Sequence, residues 1–165
     1  MKLTVLWVGK TTAKYFDEAI NLYFNRIKHY MSVEIVEIPD LRNTKSMDIN
    51  EQRIKEGVSI LQQIKPDDYL VLLDDKGKQH TSTEFSQWIE KMALASTKRL
   101  VFVIGGAYGF SRDIYDRANG YISISKMTFS HQIIRPIFFE QLYRAMTIMR
   151  GEPYHHEESL WEKRR

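Results

Sequence analysis

The run VFVIGGAYGF, residues 101–110, breaks from an apolar segment into Gly105, Gly106 and Gly109, three of the chain's 8 glycines within five positions. Such a cluster serves either a sharp backbone turn or the close approach of a ligand to the main chain. The spacing is G-G-x-x-G, not the dinucleotide fingerprint G-x-G-x-x-G, and it follows the fourth apolar run rather than the first, which argues against a nicotinamide-dependent enzyme. No Walker A loop is present either, because Gly77-Lys78 is followed by Gln79 and lacks the upstream glycine. Asp74 and Asp75, after the third run, are adjacent and so point apart. They suit a ribose hydroxyl or a solvated turn better than a shared-proton carboxylate pair. His131 and Arg135 stand four residues apart at the start of a helical pattern, which puts them on one face. That is the spacing of a catalytic pair, and equally of a capping histidine beside a surface arginine. His155, His156, Glu157 and Glu158 lack the H-E-x-x-H spacing that turns two imidazoles toward one metal, so no metal site is expected. The segment around Gly109-Phe110-Ser111 is not a G-x-S-x-G nucleophile elbow. With no cysteine, thiolate catalysis, disulfides and cysteine metal sites are excluded.

The elements that must position these residues can be read from periodicity. Apolar, β-branched runs at LTVLWV, VEIVEI, YLVLL, LVFVIG and GYISIS read as strands. Between them lie helical stripes: Phe16, Ala19, Ile20, Tyr23, Phe24 and Ile27 in the first; Ile54, Val58 and Leu61 in the second; Phe85, Ile89 and Met92 in the third. Ser111 is placed to cap a short fourth helix, and a last helix carries the apolar face Phe138, Phe139, Leu142, Met146 and Met149 before Gly151. Pro136 belongs in the first turn of that helix, where its missing N–H costs little, so the helix starts near residues 131–134 and leaves backbone donors beside the preceding loop. Alternating strands and helices predict an α/β fold, a parallel-rich sheet with helices on both faces, whose ligands bind beyond the carboxyl ends of the strands. Three strand-end loops, LLDDKGK, the glycine loop and ISISKMTFSHQ, are candidates to converge there.

The chain has 165 residues, 43% hydrophobic content and a net charge of +3, which fits one globular domain and is too weakly basic to diagnose nucleic-acid binding alone. No apolar stretch has the length of a membrane span, and the short N-terminal run reads as a strand rather than a secretory signal, so a cytoplasmic location is expected and no membrane partner.

Together, LDDKGK, VIGGAYG, ISISKMTFSHQIIRPIFFEQLYRA and RGEPYHHE closely resemble the bacterial ribosomal large subunit methyltransferase H family of the SPOUT superfamily, and MKLTVLWVGK and VEIVEIPD extend the similarity to the N-terminus. The resemblance implies one SPOUT domain over residues 1–157, a tail over 158–165, and a C-terminal trefoil knot. It implies methyl transfer from S-adenosylmethionine to N3 of a pseudouridine in 23S rRNA of assembled ribosomes, by a homodimer and without a metal. The family's cofactor contacts correspond to Leu73, Gly105, Ile124, Ser125, Lys126, Met127, Thr128 and Phe129, where Gly105 and Gly106 would let the cofactor lie against the main chain. His131, Arg135, Tyr154 and His155 are the catalytic candidates: Arg135 to place the base or its phosphate, His155 to accept the N3 proton, Tyr154 to stack on the base. The family commonly ends just after the Tyr-His pair, whereas HEESLWEKRR continues here. A non-catalytic ribosome- or RNA-binding protein of the same fold is the alternative reading.

Overall fold

A computed structural model describes residues 1–156; Glu157 and the tail 158–165 lie outside the described residues. Five strands, β1 (Lys2–Val8), β2 (Ser32–Ile38), β3 (Tyr69–Gln79), β4 (Arg99–Ile104) and β5 (Gly120–Ser123), form one sheet in the order β2-β1-β4-β3-β5, every pairing parallel. Parallel strands need crossovers, and the helices α1 (Lys14–Ile27), α2 (Ile49–Leu61), α3 (Ser82–Leu94), α4 (Arg112–Arg117) and α5 (Ile134–Met149) provide them or cover the sheet. Because side chains alternate across a strand, Leu3, Val5 and Trp7 of β1 join one core with α1, α3 and α5, while Leu6 and Val8 join a second with α2 and α4. The sheet is therefore buried on both faces, as its nearly continuous Val/Ile/Leu runs require.

Phe16, Ala19, Ile20, Tyr23, Phe24 and Ile27 of α1 all turn away from solvent, as their spacing predicts. The stripe expected in α2 does not hold: Ile54 and Val58 are 47% and 51% exposed, and the buried positions are Gly57 and Ile60. The cause is close packing through glycine, since a Cβ on Gly57 would lie 2.4 Å from the Ser111 hydroxyl at the start of α4. Ser111 accordingly occupies the N-cap position without a capping side-chain bond, its Oγ buried and unpaired. Pro136 sits in the first turn of α5, as expected. The donors beside it are partly taken, because Ser130 accepts the Ile133 N–H through Oγ and the Ile134 N–H through its carbonyl. Phe138, Phe139, Leu142 and Met146 are core residues of the single chain.

The segment LLDDKGK is not wholly a loop. β3 bulges over Asp74–Gly77 and then pairs Lys78 and Gln79 with Ile122 and Ser123 of β5. Gly77 permits this crossing, since a Cβ there would lie 2.6 Å from backbone atoms of Ile122. Among the described residues no helix is long and apolar enough to cross a membrane.

Candidate functional site

The three strand-end loops do converge. They enclose, with the entry to α5, a cavity of about 490 Å³ at the carboxyl ends of β4, β3 and β5. Leu73 ends the regular part of β3, Gly105 follows β4, and Ile124, Ser125, Met127, Thr128 and Phe129 follow β5; all of them line it. Lys126, in the same loop, does not. That loop is held from within: Ser123 Oγ donates to the Ser125 carbonyl at 2.8 Å and the Met127 N–H to Ser125 Oγ at 3.0 Å. The walls are mainly apolar, with main-chain and a few side-chain polar groups, as small-molecule sites usually are. Asp75 lines the cavity. So does Asp74, which is engaged by the Lys76 N–H and the Tyr115 hydroxyl. Burial and then this carboxylate raise the Tyr115 phenol well above its usual value, so it stays protonated.

A turn accounts for Gly109, and crowding within the chain for Gly105 and Gly106. Gly109 adopts φ +75° and its N–H closes a turn on the Gly106 carbonyl at 3.2 Å, a conformation that disfavours other residues. At Gly105 an added Cβ would approach the Phe110 ring to 3.1 Å, and at Gly106 the Glu56 carboxylate to 3.2 Å. The crowding is thus already present without a ligand. α2 backs the loop: Arg53 Nε donates to the Tyr108 carbonyl at 2.9 Å, while burial, with a smaller push from Asp40, raises the Glu56 carboxyl pKa. Sequence reading missed this backing because its residues face a loop, not the core.

The four catalytic candidates are divided. His131 lines the cavity, and burial, reinforced by Arg135, lowers its pKa, leaving a neutral imidazole at pH 7. Arg135, expected on the surface or against substrate, is 1% exposed and does not line the cavity. Its side chain turns inward because β1 ends in carbonyls that need donors: it bonds Val8 O and Gly9 O at 3.1 Å and Thr11 Oγ1 at 3.0 Å, its guanidinium 4.9 Å from the Trp7 ring centroid. Burial pulls its pKa down to about 10, so it remains a cation at neutral pH.

Tyr154 and His155 lie off the cavity. Gly151, at φ +65°, ends α5 with its own N–H on Ile148 O and the Glu152 N–H on Thr147 O, the paired bonds of a Schellman motif. The chain then folds back onto α5. Tyr154 donates to Glu140 Oε1 at 3.1 Å, and Arg144 Nε donates to the same oxygen at 3.0 Å. Arg144 Nη1 donates to His155 Nδ1 at 3.4 Å, its guanidinium 4.7 Å from the Tyr154 ring centroid. Arg144, which the sequence presents only as the i,i+4 partner of Glu140, is the centre of this second cluster. Burial first, then hydrogen bonding, raises the Tyr154 phenol pKa, so it acts as a donor. Among the described residues no three His, Asp or Glu side chains are placed to hold a metal ion.

A strand-end cavity of this kind on a parallel sheet has known relatives. A family model described as "Predicted SPOUT methyltransferase" matches residues 1–155. The chain is 56% identical over 157 residues to the ribosomal RNA large subunit methyltransferase H of Parabacteroides distasonis, covering 95% of this chain and 100% of that one. It is 53% identical to the protein of that name from Bacteroides fragilis, with the same coverage. The corresponding protein of Christiangramia forsetii is 50% identical, over 94% of this chain and 99% of its own. A match of this extent makes the chain a member of the SPOUT methyltransferase family and an rRNA methyltransferase of that class.

Proposed function

We propose that this protein methylates N3 of a pseudouridine in 23S rRNA, using S-adenosylmethionine, on assembled ribosomes in the cytoplasm and as a homodimer. The observation that carries the proposal is the convergence of Leu73, Gly105 and the 124–129 loop on one cavity of about 490 Å³, within the common range of roughly 300–1,000 Å³ for small-molecule sites. The cavity suits that cofactor: Leu73, Ile104, Ile122 and Ile124 offer apolar walls to a purine, and Asp75 offers an acceptor to hydroxyl or ammonium groups. A bound sulfonium supplies an electrophilic methyl carbon, and no metal is needed for its transfer. The trefoil knot belongs to the same proposal.

The protein's task is alignment in a water-poor site and disposal of the N3 proton. As the new N–C bond forms and the C–S bond breaks, that proton passes to a base. Neutral His131, which shares the cavity wall with Asp74 and Asp75, is the acceptor we assign within one chain. Tyr154, His155 and Arg144 form the second group. In a homodimer they come from one protomer to the cavity of the other. Exposed apolar side chains around the cavity, Met127 at 77%, Phe129 at 38% and Ile133 at 37%, support a partner surface there.

Calorimetric titration with S-adenosylmethionine, with NADH as the control, tests the cofactor. Saturable binding of the first alone is expected, followed by methyl transfer to ribosomes that lack the modification. Ribosome binding without transfer would instead make the protein a non-catalytic binder of the same fold, and NADH binding alone would overturn the proposal.

A further inference from the structure

Arg135 is a buried cation with no ion pair among the described residues; three oxygens of the β1–α1 connection satisfy two of its nitrogens. Gln132, one turn earlier, grips the same connection from both sides: its Nε2 donates to Lys10 O at 3.1 Å, and its Oε1 accepts the Thr12 N–H at 2.9 Å. With Thr12 Oγ1 also donating to Gln132 Oε1 at 3.4 Å, six hydrogen bonds fasten residues 8–12 to the entry of α5. The residues interleaved with these two, Ser130, His131 and Ile134, line the cavity. Burying this guanidinium is costly, since its Nε is buried without a partner, and the arrangement fixes a short loop against the cavity wall.

That loop presents Lys10 and Thr12 to solvent at the carboxyl edge of the sheet, the edge that bears the cavity. Lys14 and Arg42, exposed where α1 begins and shortly after β2 ends, add positive charge at the same edge. The backbone that carries the exposed cation is thus bonded to the helix start that bears the cavity wall. Resting on the rRNA methyltransferase reading above, we propose that Gln132 and Arg135 are positioning residues that hold loop 9–12 as a strap at the cavity mouth, with Lys10 contacting a phosphate of the incoming RNA. They act on the substrate through Lys10 without touching it. Fixing the backbone that carries Lys10 in advance removes part of the ordering cost when RNA binds.

Loss of Arg135 would leave buried acceptors unpaired, so Gln132→Ala is the informative variant. Steady-state transfer from tritiated S-adenosylmethionine to unmodified ribosomes is measured for the natural protein, Gln132→Ala, Lys10→Ala and the double variant, with cofactor affinity measured by calorimetry. Each single variant is expected to raise KM for ribosomes about 5- to 10-fold, with kcat and cofactor Kd within about two-fold. Lys10→Ala also reduces the slope of log KM against log salt by roughly one phosphate contact, about 0.7–0.9. The double variant is no worse than Lys10→Ala, because Gln132 works through that lysine. Additive losses, or Gln132→Ala weakening cofactor binding as much as it raises KM, would overturn the strap while leaving the methyltransferase reading intact. A natural protein that binds ribosomes but transfers no methyl group would overturn both.

Discussion

The two ends of α5 are built by different rules. At its start, the cavity is made of main chain, glycine and small polar residues at strand ends, the glycine loop held from behind by Arg53 of α2 and the β5 loop from within by Ser123 and Ser125. The chain past its end folds back along the helix, where Tyr154 and His155 meet Glu140 and Arg144 of α5 in a cluster of long side chains held mainly by one another and by a helix-terminating glycine. The first is a finished container in a single chain. The second carries donors, a cation and an imidazole, and its residues do not line that cavity. A cofactor site needs shape before the substrate arrives; groups that act on a nucleobase can be delivered by a second body.

The largest effect that would break this contrast is loss of the container. Gly105→Val puts a branched side chain where even a Cβ meets the Phe110 ring at 3.1 Å, and Phe110 is itself buried and lines the cavity. Overpacking of this kind costs about 1–3 kcal/mol, which a domain of this size tolerates. Cofactor binding is expected to fall below calorimetric detection while circular dichroism and oligomeric state are retained. Gly106→Ala is the control: its neighbour is the movable tip of Glu56, so affinity should change little. An unfolded Gly105→Val protein would mean the glycines serve the turn alone.

The same contrast decides what sequence could reveal. The sheet was legible because strands buried on both faces must be continuous runs of Val, Ile and Leu, and α1 because its apolar spacing matches one face. α2 was misread since its contact is made by the smallest residue, Gly57; a stripe rule counts apolar side chains and cannot see a close approach. The extension of β3 through Asp74–Gln79 was hidden in residues of poor strand propensity, and only pairing with Ile122 and Ser123 creates it. The cavity loops were found by glycine clustering, strand-end logic and resemblance. The inward turn of Arg135 was not, because spacing fixes which way a Cβ points, whereas a long side chain reaches back to any carbonyl lacking a donor. Arg144 looked like an ordinary helix-surface ion pair until the fold-back after Gly151 brought Tyr154 and His155 against it.

A second, smaller effect sharpens the division of labour. His155→Ala leaves the cavity untouched and should lower kcat about 100-fold, with cofactor Kd changed by less than about two-fold. Equal losses in both would refute a role for His155 in the chemistry. Mixing Gly105→Val and His155→Ala chains adds a geometric test. If clusters from opposite protomers meet, heterodimers contain one intact pairing and regain a substantial fraction of activity. If each chain serves its own cavity, neither protomer of the mixed dimer is complete and activity stays at the level of the parents.

The smallest effect concerns His131 and is read from pH. Its folded pKa lies below the ordinary 6.5 because burial and the Arg135 charge both oppose the imidazolium. The stability this group contributes is therefore present above the unfolded value and lost as pH falls through the depressed folded value. Activity should follow the same sign: a neutral ring accepts the N3 proton, so kcat/KM rises with pH along an acid limb lying below 6.5. His131→Gln keeps a polar side chain of similar reach but cannot accept a proton at these pH values. It should remove that limb and lower the plateau, leaving ribosome affinity unchanged. Persistence of the limb in His131→Gln, together with its disappearance in His155→Ala, would transfer the proton-accepting role to the cluster at the far end of α5 and leave the cavity as a container only.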